Sequence, residues 1–154
     1  MFAARDVLSL FATFAGVYEG AGLNPEGQPF SGRLHLRPRL DGRVYELEYE
    51  AIGAEGARMH HELGLVSAGP DGRLGLWLIH TGGTSLMSHP LEAIEPTEEG
   101  GYALVFGGGD AHEGSRFRMQ LTLGLHPGGD LSWGHAWGLP GGELSARSAC
   151  RMSR

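Results

Sequence analysis

Between Val7 and Phe14 the apolar residues Val7, Leu10, Phe11 and Phe14 fall at i, i+3, i+4 and i+7, the spacing that gathers side chains on one face of a helix. This predicts a short amphipathic helix over about 4–14, laid on an apolar surface. After Gly16 the period drops to two and stays there, as it does in a strand whose successive side chains point to opposite faces. Alternating segments recur at 17–23, 30–40, 43–52, 57–67, 73–81, 84–93, 101–107, 114–126, 130–138 and 143–152, each bounded by Gly, Pro, Asp or Asn. Between them, LDGR at 40–43, PDGR at 70–73, TGGT at 81–84 and PGGD at 127–130 read as hairpin turns, because glycine accepts the positive φ that tight turns need. Consecutive strands with no helical pattern between them predict an all-β fold: an up-and-down antiparallel barrel of about ten strands whose closure removes exposed edges. A two-sheet sandwich is the alternative, but it needs long crossovers that these turns do not supply.

Sorting each strand by alternation gives an expected interior. Tyr45, Leu47, Tyr49 and Ala51 oppose Glu46, Glu48 and Glu50, so the first set is read as inward. Met59, His61, Leu63 and Leu65 are read as inward against Arg58, His60 and Glu62. The inward sets continue with Leu74, Leu76, Leu78 and His80, then Phe117, Met119, Leu121 and Leu123, then Leu131, Trp133, His135 and Trp137. A barrel of about ten strands is wider than the eight-stranded kind that side chains fill. Apolar walls with a few convergent polar groups suit a small-molecule site. Tyr45, Tyr49, His61, His80, Trp133, His135 and Trp137 are therefore the candidate ligand-binding residues, with the tyrosines as alternative hydrogen-bond partners for the imidazoles.

Composition narrows the function. The chain has 154 residues, the length of one domain, taken as residues 1–154 with the barrel from about 16 to 153. A net charge of −6 disfavours nucleic acid and anionic membranes as partners. One cysteine, Cys150, excludes an internal disulfide and a multi-thiolate zinc site, and fits a cytoplasmic protein. No run approaches the roughly 20 apolar residues of a membrane helix.

The adjacent His60, His61 and Glu62 in ARMHHELG look like metal ligands, but neighbours on a strand diverge, so no metal site is expected there. His60 and Glu62 are assigned to a solvated outer face with Arg58. Asp110, His112 and Glu113 in GGGDAHEG match no metal spacing and are read as a solvated turn. No G-x-S-x-G elbow or HExxH motif is present, so catalysis is not required by any motif.

GVYEGAGL at 16–23, LDGRVYELEYEA at 40–51, HHELGLVSAGPDGRLGLWLIHTGG at 60–83 and ELSARSACRMSR at 143–154 resemble, in order and spacing, the fatty-acid-binding-protein-like and nitrobindin-like barrels, a calycin- or lipocalin-like group that includes uncharacterised bacterial proteins. That resemblance implies the barrel fold, and the inward aromatic and histidine set points to a ligand held in its cavity, with no catalysis required. Nitrobindin-like relatives hold haem through a histidine near the C-terminus and handle nitric oxide or peroxynitrite there. Residues 142–154 contain no histidine, so no cofactor is expected, and haem would need His61, His80 or His135 instead. The expected partner is a small hydrophobic or amphipathic molecule. The alternatives are the haem barrel and a filled structural barrel acting through its outer surface, for instance as a homodimer.

Overall fold

The computed structural model describes residues 3–108 and 117–154. Among these, one helix, α1 (Ala4–Phe14), precedes ten strands: β1 (Gly16–Leu23), β2 (Pro29–Arg39), β3 (Val44–Ile52), β4 (Arg58–Ala68), β5 (Leu74–His80), β6 (Met87–Pro96), β7 (Tyr102–Gly108), β8 (Arg118–Leu125), β9 (Leu131–Gly138) and β10 (Ser145–Ser153). Each strand pairs antiparallel with its chain neighbours, and β1 pairs with β10 to close the barrel. The helix is too short and too polar on one face to cross a membrane, as is every described helix.

The two ends of the barrel differ. At one end α1 buries Val7 and Phe11, with the Phe11 ring 5.5 Å from that of Tyr45. The Tyr18 hydroxyl donates to the Phe14 carbonyl, and Arg154 donates to the Tyr18 oxygen and to the Thr13 carbonyl, so the first and last segments tie the helix down. The short turns at 40–42, 69–72, 97–100 and 127–129 lie at this end. At the opposite end the strands finish at Ile52, Arg58, His80, Met87, Arg118 and Gly138; the β3–β4 link there is a single 3-10 turn, Ala54–Gly56, and among the described residues no α-helix lies at this end.

Beneath the helix the interior is filled. Leu34, Leu36, Leu47, Leu76, Leu78, Leu104, Phe106, Leu121, Leu123, Leu131 and Trp133 are all fully enclosed. Inward glycines on β1, β2 and β4 let the walls approach: a Cβ on Gly32 would stand 2.5 Å from the Cys150 sulfur and 3.3 Å from the Tyr49 ring. On the outside, Arg37 pairs with Glu46 and Glu48, Arg39 with Glu46, and Arg58 with Glu50.

The expected faces hold for β3, β5 and β9 but are inverted on β4. His60, Glu62 and Val66 point inward, whereas Leu63 and Leu65 are 43% and 45% exposed and His61 faces out. Two features cause this. A bulge between the Ala51–His60 and Ile52–Arg58 pairs puts Met59 out of phase and leaves Arg58 outside. Leu63 and Leu65 lie opposite Ile79 and Trp77, so the outer wall carries an apolar strip where a polar face was expected. Phe117, expected inside β8, precedes the strand and is 45% exposed against Trp137. Asp110, His112 and Glu113 lie outside the described residues.

Candidate functional site

The end of the barrel opposite α1 gathers inward polar side chains around Glu62. In the β3–β4 ladder Tyr49 is opposite Glu62 and Ala51 opposite His60, and directly opposed residues share a face. The β4–β5 pairing then sets His80 opposite Glu62. His135 enters from β9, where it follows the enclosed Trp133 by two positions.

Glu62 is wholly enclosed and well partnered. His60 Nε2 lies 2.9 Å from its Oε2, His135 Nε2 lies 3.0 Å from Oε1 and 3.2 Å from Oε2, and Trp133 Nε1–H donates to Oε1. Burial alone would push this carboxyl up, but the His135 and His60 imidazoles more than reverse that and hold it well below the usual carboxylate range. The site is therefore built on a buried anion, which requires positive charge or hydrogen-bond donors around it. On its far side, His135 Nδ1 lies 3.2 Å from the Ser148 hydroxyl of β10.

The neighbouring rings complete the mouth. The His60 ring lies tilted 5.5 Å from that of His80 and edge-on 5.4 Å from that of His135, and Tyr49 lies 5.8 Å from His135. Burial, then the nearby His60 charge, lowers the His80 pKa; its Nδ1 accepts from the Gly82 N–H. Burial, with Cys150 and Glu62 adding to it, raises the Tyr49 phenol so that it stays neutral. Trp137 stands near the rim between the Phe117 ring and the Arg147 guanidinium, whose carbon is 3.8 Å from the indole centroid.

Of the residues expected to form the site, the structure brings Tyr49, His80, Trp133, His135 and Trp137 to one end of the barrel. It does not bring Tyr45, which packs under α1 at the other end. Nor does it bring His61, whose Nε2 bonds Glu48 3.0 Å away on the outer wall. None of these imidazoles bonds a tyrosine: His135 is partnered by Glu62, His61 by Glu48 and His80 by the Gly82 N–H.

The residues missed are His60, Glu62 and His89. His89 on β6 is fully enclosed, and among the described residues neither ring nitrogen has a hydrogen-bond partner. Burial lowers its pKa. Its signal was present: Met87, His89 and Leu91 alternate with Ser88, Pro90 and Glu92.

The fold has a solved counterpart. The barrel is similar to the crystal structure of Rv2717c from M. tuberculosis, with a TM-score of 0.70 and 16% identity over 96% of each chain. At that identity the likeness shows the fold alone. No protein-family model matches the chain, and no curated protein matches it by sequence.

Surface grooves occur elsewhere and hold no histidine. One of about 430 Å³ follows the β1–β10 seam at Ala21–Leu23 and Ala146–Ala149. Another of about 900 Å³ runs between the start of α1 and the diverging ends of β5 and β6, lined by Val7, Arg73, Leu74, Leu91 and Ile94. The convergent polar chemistry lies in the mouth, so we place the candidate site there rather than in either groove.

Proposed function

We propose that the barrel binds one small amphipathic molecule at the end opposite α1, with no catalysis required. One observation carries this reading: inward-facing His60 keeps 30% of its side-chain exposure and His135 keeps 10%, directly above a carboxylate that is only 1% exposed. Solvent thus reaches the polar floor of the mouth while the apolar interior below it is filled. A ligand's polar end would meet His60, His80 and His135, and its apolar part would lie against Trp137, Met87 and Met119.

Titration with anilinonaphthalene sulfonate, followed by displacement with oleate, tests this. Saturable binding that weakens in His135→Ala and Trp137→Ala, and not in His61→Ala, supports it. Binding that is absent, or indifferent to the first two changes, removes it.

Haem is the weaker reading. Strand β10 turns Ser148, Cys150 and Met152 inward, and none of them is a histidine. The inward imidazoles have other engagements: His60 and His135 bond Glu62, His80 accepts from Gly82, and His89 is enclosed. These residues do not fit haem held through a C-terminal histidine.

A further inference from the structure

We propose that His60, Glu62 and His135 form a binding site for one divalent transition metal ion of the zinc, cobalt or iron(II) class. This goes beyond the ligand reading and stands apart from it, since an ion can bind whether or not an organic molecule occupies the mouth.

The donor atoms are already gathered. One ligating atom from each of the three residues lies within 4.8 Å of the other two. Around an ion with bonds of about 2.0–2.1 Å, adjacent ligands sit roughly 2.9–3.4 Å apart. The His60 Nε2 to Glu62 Oε2 separation is 2.9 Å and the His135 Nε2 to Oε2 separation is 3.2 Å. Two imidazoles and one carboxylate are a donor set suited to zinc with an open fourth position, or to iron(II).

The surroundings orient these donors as ligands need to be oriented. Oε1 takes the Trp133 N–H and lies 3.0 Å from His135 Nε2, while Oε2 is within reach of both imidazoles. In the metal-free cluster the imidazole Nε2–H groups donate to Glu62; with an ion at Nε2, the Ser148 hydroxyl 3.2 Å away could accept from His135 Nδ1–H and hold the ring in place. An ion would replace the two imidazole Nε2 protons that otherwise hold the cluster together. His60 keeps 30% of its side-chain exposure, so an ion held beside it could take a further ligand from solvent. The site was obscured in the sequence because the adjacent pair His60 and His61 suggested the wrong partner; the second imidazole comes from β9, 73 residues beyond Glu62.

The test uses the full chain, purified without a polyhistidine tag and stripped with a chelator. Cobalt(II) is titrated by visible absorption and zinc(II) by calorimetry in competition with a chelator. We expect one equivalent, with tenfold or greater loss of affinity in both His60→Ala and His135→Ala, about tenfold loss in Ser148→Ala, and none in His61→Ala. Far-ultraviolet circular dichroism establishes that each variant is folded. Should His135→Ala fail to fold, the half-exposed His60→Ala and the outward His61→Ala still discriminate. No saturable signal from either metal, or equal losses in His60→Ala and His61→Ala, would overturn the proposal. Because these readouts contain no organic ligand, failure here leaves the amphipathic-ligand reading untouched, and the converse also holds.

Discussion

Replacing Glu62 by glutamine removes the buried charge while keeping the shape of the side chain. The amide oxygen can still accept from Trp133, but both imidazole bonds lose their ionic partner. Hydrogen bonds to charged groups contribute about 1.5–3 kcal/mol and neutral ones about 0.5–1.5, so two such losses cost roughly 2 kcal/mol. Glu62→Ala, which strands three donors, should cost about 3–5 kcal/mol. Both are large fractions of the roughly 5–15 kcal/mol that holds a domain folded. Urea unfolding at pH 7, followed by tryptophan fluorescence, measures each difference. The pH dependence supplies a second constraint. The folded carboxyl stays ionised well below its ordinary pKa of 4.5, whereas the unfolded one takes up a proton near that value. The wild-type advantage over glutamine is therefore complete above about pH 4.5 and shrinks as the pH falls further. A glutamine variant within about 0.5 kcal/mol of wild type at pH 7, or a gap that does not narrow in acid, would refute the buried-anion account.

Other consequences follow from the same geometry. His89 is neutral and enclosed, so the unfolded chain binds its proton below about pH 6.5 while the folded one resists; His89→Leu should flatten the loss of stability between neutral pH and pH 5, measured by thermal unfolding across that range. Phe11→Ala opens a cavity under α1 and should cost about 3–5 kcal/mol by urea unfolding. Gly32→Ala forces a methyl group against Cys150 and Tyr49 and should cost about 1–3 kcal/mol in the same assay. His61→Ala removes outer-wall contacts with Glu48, Glu50 and Arg58 and should change stability by no more than about 1 kcal/mol. Haemin added to the apo protein should give no Soret shift that depends on His80 or His135.

The barrel itself was legible because its signal is repeated: the period changes once, at Gly16, and every later segment alternates between turn residues. The contents of the mouth were less so. Tyr49, His80, Trp133, His135 and Trp137 were found because each shares a face with leucine, valine or another aromatic residue. Glu62 was missed because assigning faces by polarity fails where the protein buries a charge and exposes leucine on the same strand. Its position follows instead from register, since it lies opposite Tyr49, and that register passes through a bulge at Met59 that the sequence does not advertise. His61 was placed inside for the same reason, one residue out of phase.

The most direct test of binding at the mouth is nitrogen–proton correlation spectroscopy of the labelled protein during titration with anilinonaphthalene sulfonate. We predict shifts concentrated at Tyr49, His60, His80, Trp133, His135 and Trp137, with the Trp133 indole N–H among the most affected. Shifts confined to Leu63, Leu65 and Ile79 on the outer wall, or to Val7, Leu74 and Ile94 beside the helix, would contradict it.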